Sequence, residues 1–223
     1  PRAGAAAIHA LLATGAIHQR LVQTRLRCDV NLLVETGTAR DPHHFACLIG
    51  FGATAVYPYL AYQTLHALGR RGLLGGKTSN EPPQIGRSYR RGVKKGLLKI
   101  LSKMGIGSIA SYRGAQLFEI VGLDEDVVAR CFEGTPSRVS GAGFARLEAD
   151  ARQLNDHAED ETALPEPGGL LRYVHGGEYH QYNPDVVQSL QRAVLTGERA
   201  DWKVYAHHVN TRPPAAFRDL LQL

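Results

Sequence analysis

Residues 29–69 read DVNLLVETGTARDPHHFACLIGFGATAVYPYLAYQTLHALG. The apolar run Asp29–Val34 predicts a buried strand, and residues 38–50 predict a helix. Ala55–Tyr57 predicts a second short strand, and helical spacing resumes over residues 59–69. The order strand, helix, strand, helix is typical of a parallel sheet or barrel, so we predict an α/β fold of the βαβ type.

Helical spacing of apolar residues also predicts helices at 4–25, 87–103, 116–121, 126–132, 144–160, 185–196, 199–210 and 214–222. Two helix starts carry strong local signals, namely Asp41-Pro42 and Asn183-Pro184. In helix 87–103 the residues expected to face inward are Val93, Leu97, Leu98, Ile100 and Leu101. A third strand is predicted at 106–110, and the remaining segments 70–86 and 134–143 are predicted to be loops.

The run Leu164–Gly169, with two prolines and two glycines, predicts a domain boundary. We therefore expect one domain over residues 1–163 and a second over residues 164–223, which is rich in helices. The sequence contains no signal peptide and no apolar run near the roughly 20 residues of a membrane helix. These features favour a cytoplasmic protein with no membrane partner.

The net charge of +5 is unevenly distributed. Residues 82–118 contain eight Lys or Arg and no acid, whereas residues 119–166 contain twelve acids. A basic helix of this kind is compatible with nucleic-acid binding, but no aromatic residues alternate with the cations to stack on bases. We favour a helix face that is either solvated or beside an acidic neighbour, and expect no nucleic-acid partner.

Few residues suggest chemistry by their spacing alone. The cysteines Cys28, Cys47 and Cys131 are too widely spaced for a metal cluster or a disulfide framework, which favours ordinary thiols. Side chains of the adjacent pair His43-His44 point about 100° apart on a helix, so a shared metal is disfavoured. Glu35, at the end of a parallel strand, is near enough to Arg40 for an ion pair, which we favour over substrate contact.

Several sequence motifs resemble those of the large subunit of glutamate synthase. They are Val34–Phe45 (VETGTARDPHHF), Ser102–Ile106 (SKMGI), Ser111–Glu119 (SYRGAQLFE), Phe132–Arg138 (FEGTPSR) and Gly177–Pro184 (GEYHQYNP). These motifs occur in the same order as in the family, and they extend over nearly the whole chain. Thr38, Pro42 and Val139–Gly141 depart from the family pattern, which weakens the transfer of contacts at those loops.

The resemblance implies the end of the family's central domain, a degenerate barrel-like α/β unit, followed by a helical lead-in to the FMN-binding synthase domain. The parent enzyme would convert L-glutamine and 2-oxoglutarate to two L-glutamate with FMN and a 3Fe-4S cluster, both held outside these residues. FAD and NADPH would enter through a small subunit. The remaining domains of the same large subunit would be the other partners.

The resemblance implies no catalytic, cofactor-binding or metal-binding residue within this chain. It does suggest residues for contact between domains or for the wall of an ammonia tunnel. These candidates are Glu35, Arg40, His43, His44, Lys103, Ser111, Arg113 and Gln116. The alternative is a non-catalytic scaffold or protein-interaction domain derived from the enzyme.

Overall fold

The computed structural model describes residues 7–74, 81–159 and 173–215. The chain divides into two compact units, Pro1–Asp160 and Glu161–Leu223. The predicted boundary run and most of the predicted helix 214–222 lie outside the described residues, as does part of the predicted loop 70–86. Within the described ranges, no helix has the length and apolar character needed to cross a membrane.

The first unit alternates helices with short strands. In chain order its elements are α1 (Ala10–Gln23), β1 (Leu33–Glu35), α2 (Pro42–Gly50), β2 (Ala55–Tyr57), α3 (Tyr59–Arg70), α4 (Pro82–Lys103), α5 (Ile109–Tyr112), β3 (Ile120–Leu123), α6 (Glu125–Cys131), β4 (Ser137–Ala142) and α7 (Phe144–Glu159). The second unit contains α8 (Pro184–Thr196) and α9 (Arg199–Asn210). The predicted α/β class is confirmed.

The strands form two separate parallel pairs, β1 with β2 and β3 with β4, and no barrel closes within the described residues. In the first pair Val34 lies opposite Val56. The prediction of a buried strand from Asp29 is wrong, because β1 begins at Leu33 and that side chain is 75% exposed. The central residues Val34 and Val56 pack against the cluster of Ala39, Phe45, Leu48 and Ala53.

The second pair corrects two predictions. Residues 116–121 were expected to form a helix and residues 134–143 a loop, but β3 and β4 lie there and pair in parallel. Glycines, which favour turns, here permit close passage of two backbones: a Cβ on Gly141 would overlap the carbonyl of Gly122. The predicted strand 106–110 is also wrong, because Ser108 caps α5 by accepting a hydrogen bond from the Ser111 N–H at 3.2 Å.

Helix α4 begins at Pro82, earlier than predicted, because prolines are tolerated in the first turn of a helix. Leu101 is buried as expected, but Leu98 is 54% exposed, so the prediction that it faces inward is wrong. The predicted helix starts at Asp41 and Asn183 are confirmed, since both side chains accept hydrogen bonds from the first turn of their helices.

Helix α2 contributes to two of the three buried clusters that the structure describes in the first unit. Phe45 and Leu48 pack with Ala53, Ala46 packs with Leu101 and Tyr112, and Phe51, just after the helix, joins the remaining cluster. That remaining cluster also contains Leu12, Val127, Cys131 and Phe132. The contacts place α2 at the centre of the unit, so both of its ends are held by surrounding segments.

Candidate functional site at the two ends of helix α2

The predicted site residues gather at opposite ends of α2, which has nine residues and is therefore about 13 Å long. Before or within its first turn lie Glu35, Arg40, His43 and His44. The segment after its last turn is contacted by residues 111–118, which we name the capping loop and which contains Ser111, Arg113 and Gln116. Lys103 is the last residue of α4.

His44 has a structural role at the amino end of α2. The Asp41 carboxylate accepts hydrogen bonds from the backbone N–H groups of His43 at 2.9 Å and His44 at 3.2 Å. In return the His44 Nδ1 atom accepts from the Asp41 N–H at 3.4 Å, which completes a capping box. Burial alone would raise the pKa of Asp41, but the hydrogen bonds and the nearby histidines outweigh it and lower that pKa.

His43 lies beside a cysteine, with 3.6 Å between its Nε2 atom and the Cys47 Sγ atom. A cysteine next to a histidine can be a nucleophile when its thiol is ionised. Here burial, together with the charge of Asp41, raises the pKa of the Cys47 thiol, so it stays protonated at neutral pH. Among the described residues no group of three His, Cys, Asp or Glu is placed to hold a metal ion.

Glu35 and Arg40 do not form the predicted ion pair within the described part of the chain. Between them the backbone turns through a hydroxyl pair, in which the Thr36 and Thr38 Oγ1 atoms are 3.0 Å apart. The Arg40 carbonyl accepts a hydrogen bond from the Tyr89 hydroxyl at 2.8 Å, which fixes its backbone to α4. Both charged side chains are exposed and so remain available to another surface.

The capping loop donates hydrogen bonds to carbonyl groups near the carboxyl end of α2, where the last four carbonyls have no partner inside the helix. The Tyr112 hydroxyl donates to the Ala46 carbonyl at 3.1 Å. Backbone N–H groups of Gly114 and Gln116 donate to the carbonyls of Ile49 and Gly50, each at 3.0 Å. Gly114 and Gln116 have φ angles of +72° and +52°, so the loop has a specific shape that most residues disfavour.

Aromatic packing fixes the other side of the capping loop. The rings of Phe51 and Phe118 stack with centroids 5.1 Å apart, and the Tyr112 ring meets Phe118 edge-on at 6.5 Å. A Cβ on Gly50 would overlap the Phe118 ring, so glycine is required where the loop crosses the helix end. The loop is therefore a rigid part of the fold.

A polar junction beside the capping loop was missed by sequence reasoning. The Arg27 guanidinium donates to His18 Nδ1 at 3.0 Å, to the Gly52 carbonyl at 2.7 Å and to the Val30 carbonyl at 2.8 Å. Burial, then the Arg27 charge, lowers the pKa of His18. A Cβ on Gly114 would lie 3.6 Å from the His18 ring, so the junction also touches the capping loop. Arg27 and its partners follow no regular spacing in the sequence, so no sequence pattern predicts this junction.

Lys103 and Arg113 have exposed side chains, and neither forms an ion pair with a described residue. Ser111 is held by Ser108, whose Oγ atom lies 3.0 Å from the Ser111 Oγ atom. At the carboxyl end of α2 the capping loop thus presents the exposed Arg113 on a rigid base, and the Cys47 thiol of the helix is protonated. This arrangement can bind or position a neighbouring surface.

The second unit has a cleft of about 230 Å³ between the start of α8 and the end of α9. Its lining residues are Tyr179, Asn183, Asp185, Val186, His207, His208, Thr211, Arg212 and Pro213. The Asn183 side chain accepts from the Val186 N–H at 3.1 Å and is thereby committed to capping α8. Residues at the start of α8 and at the end of α9 therefore line the cleft.

Comparison with known proteins identifies the family. The NADPH glutamate synthase large chain of Azospirillum brasilense is 42% identical over 223 residues, which cover 98% of this chain and 14% of that protein. Ferredoxin-dependent glutamate synthase 1 of Arabidopsis thaliana is 40% identical over 95% of this chain and 14% of its own length. The NADH glutamate synthase of Saccharomyces cerevisiae is 39% identical over 89% of this chain and 10% of its own.

This chain therefore spans only 10–14% of the length of these relatives. The family model described as the glutamate synthase central domain matches residues 2–124, a range that includes both ends of α2 and the capping loop. Since this match covers more than half of the 223 residues, the chain belongs to the glutamate synthase central domain family.

Proposed function

We propose that this chain is part of a glutamate synthase that converts L-glutamine and 2-oxoglutarate to two L-glutamate. The observation that carries the proposal is the identity of 39–42% with proteins named glutamate synthase over 89–98% of this chain. Within that enzyme the chain connects the glutaminase and synthase domains. Residues 1–163 belong to the central domain, and residues 164–223 lead into the FMN-binding domain.

The connector role rests on the chemistry of the ends of α2. Burial keeps the nearby thiol Cys47 protonated, and the capping loop presents Arg113 on a rigid base. Ammonia that escapes into water is protonated and ceases to be a nucleophile, so its transfer between two sites needs an enclosed path. Rigid walls suit such a path, and we assign Arg113 and Gln116 to its closure or to a domain contact.

The cofactors of the proposed enzyme are FMN and a 3Fe-4S cluster bound outside these residues, with FAD and NADPH on a small subunit. The described cysteines do not fit a cluster. Burial raises the pKa of both Cys47 and Cys131, whereas cluster ligands are thiolates, and Cys28 is exposed on a separate segment. We propose a cytoplasmic location, with the rest of the large chain and the small subunit as partners.

The test is Arg113→Ala in the natural polypeptide that carries this sequence. Because Arg113 is exposed and has no ion pair among the described residues, the substitution should change the free energy of unfolding by less than about 0.5 kcal/mol. Glutamine consumed per glutamate formed should rise by roughly two- to thirtyfold, which corresponds to a coupling change of about 0.5–2 kcal/mol. Added ammonium should partly restore glutamate synthesis.

Arg20→Ala, an exposed arginine on α1, is the matched control and should leave the ratio unchanged. An unchanged ratio for Arg113→Ala would reject the tunnel or gating role while leaving the enzyme assignment intact. If the unaltered polypeptide, supplied with flavin and reductant, formed no glutamate from glutamine and 2-oxoglutarate, the enzyme assignment itself would fall.

A further inference from the structure

Helix α4 presents a strongly basic face to solvent. We define the basic face of α4 by the exposed cations of residues 87–99, which are Arg87, Arg90, Arg91, Lys94, Lys95 and Lys99. Arg87 donates to the Gln84 side chain at 3.2 Å. No ion pair joins these cations to a carboxylate of the described residues. Six like charges on one side of a helix repel one another unless an acidic surface covers them.

In the acidic segment that follows, four of the carboxylates that the structure describes are already paired with arginines close by. These pairs are Asp126–Arg130 at 2.7 Å, Glu119–Arg138 at 3.1 Å, Arg146–Asp150 at 3.1 Å and Glu148–Arg152 at 2.6 Å. Since no described carboxylate pairs with the basic face of α4, we expect the complementary charge on a partner that packs against it.

A glycine on the same helix gives a second, independent indication. Glycine is, after proline, the least favourable residue inside a helix, so its presence there usually reflects close packing. At Gly96 the reason is internal, since a Cβ would overlap the Pro42 ring of α2. At Gly92, one turn earlier in this helix of 22 residues, a Cβ would meet nothing within 4 Å. The described residues therefore give no reason for a glycine at position 92.

We propose that an acidic protein segment packs directly against α4 at Gly92. Gly92 lets the partner approach the helix backbone, and Lys95 and Lys99, three and seven residues later, lie beside it and pair with carboxylates of the partner. Leu98, which is 54% exposed within the basic face, contributes apolar contact at the same surface.

The composition of the face favours a protein over other polyanions. A single-stranded nucleic acid would need aromatic side chains for base stacking, and the aromatic residue of α4, Tyr89, is bound to the Arg40 carbonyl instead. A membrane-bound amphipathic helix inserts its apolar side into lipid, but the apolar side of α4 packs on α2 through Val93 and Leu97. The proposal does not depend on the reaction assigned above.

The experiment is zero-length carbodiimide cross-linking of the natural polypeptide, in which lysine amines are joined to carboxylates that touch them. We expect Lys95 and Lys99 to be joined to Asp or Glu outside residues 1–223, as read by mass spectrometry. Gly92→Phe should lower the yield of these links roughly tenfold, equivalent to about 1.4 kcal/mol. Ala129→Phe, at an exposed alanine of α6, is the control and should leave the yield unchanged.

Three results would overturn the proposal. These are links from Lys95 and Lys99 that reach only residues 1–223 of a second copy, nucleic acid that co-purifies and is displaced by nuclease, and a yield in Gly92→Phe equal to that of the control. If Gly92→Phe does not fold, Gly92→Ala replaces it, since its added methyl group meets nothing inside the fold. The positions of the links in the unaltered protein test the proposal without any substitution.

Discussion

Arg27 offers the sharpest test of how the first unit is held together. Its guanidinium donates to His18, Gly52 and Val30, and the first two of these bonds are partly buried whereas the third is exposed. In Arg27→Met the apolar stem keeps its packing, but two partly buried acceptors lose their donor. At about 1 kcal/mol for each, and nothing for the exposed carbonyl, the loss is about 2 kcal/mol.

Such a loss should lower Tm by about 4–8 °C in a chain of this size. Urea unfolding followed by far-ultraviolet circular dichroism measures the free energy of unfolding directly. Lysine can replace only part of the fork of donors, so the free energy of unfolding of Arg27→Lys should lie between those of the unaltered protein and Arg27→Met. Arg20→Met is the matched control, because Arg20 is exposed on α1, and it should change the free energy by less than about 0.5 kcal/mol. Equal stabilities for Arg27→Met and Arg20→Met would refute this account of the junction.

Two further predictions concern the same region. Burial and Arg27 lower the pKa of His18 below 6.5, so below about pH 6.5 the unfolded chain binds a proton that the folded chain does not. The free energy of unfolding should therefore fall as pH drops from 7 towards 5. In His18→Gln the free energy of unfolding should fall less steeply over the same range. Urea titrations at several pH values that gave the same slope for both proteins would contradict the assignment of this pH dependence to His18. Gly50→Ala should cost about 1–3 kcal/mol, because its Cβ would overlap the Phe118 ring, whereas Gly107→Ala, where a Cβ meets nothing within 4 Å, should cost little in thermal unfolding. A Gly50→Ala variant as stable as the Gly107→Ala control would show that the ring moves freely.

The βαβ arrangement over residues 29–69 was predictable because its signals are local. The Asp41-Pro42 start of α2 depends on groups within one turn, and the structure contains that cap. The second parallel pair was missed because Gly122 and Gly141 give β3 and β4 the composition of a loop. Close approach of two backbones leaves no signature that distinguishes it from a turn.

The candidate site divides in the same way. The role of His44 in a capping box follows from residues within one turn and could have been found from the spacing of Asp41 and His44. The pairing of Glu35 with Arg40 was expected from proximity in sequence, but the intervening hydroxyl turn separates their side chains. The bond from Arg27 to Gly52 joins residues 25 positions apart, and only the three-dimensional fold brings them together.

The short parallel pairs bear on the order in which this unit folds. β1 and β2 are paired over only three residues. A two-stranded pair this short forms too few hydrogen bonds to persist in water without the helices that pack on it. Closing each βαβ loop costs chain entropy before any strand bond forms, and only the packing of α2 and α6 repays it. We therefore expect the helices to pack first and the strands to pair last. Substitutions in the strands should accelerate unfolding, whereas substitutions in the buried face of α2 should slow refolding.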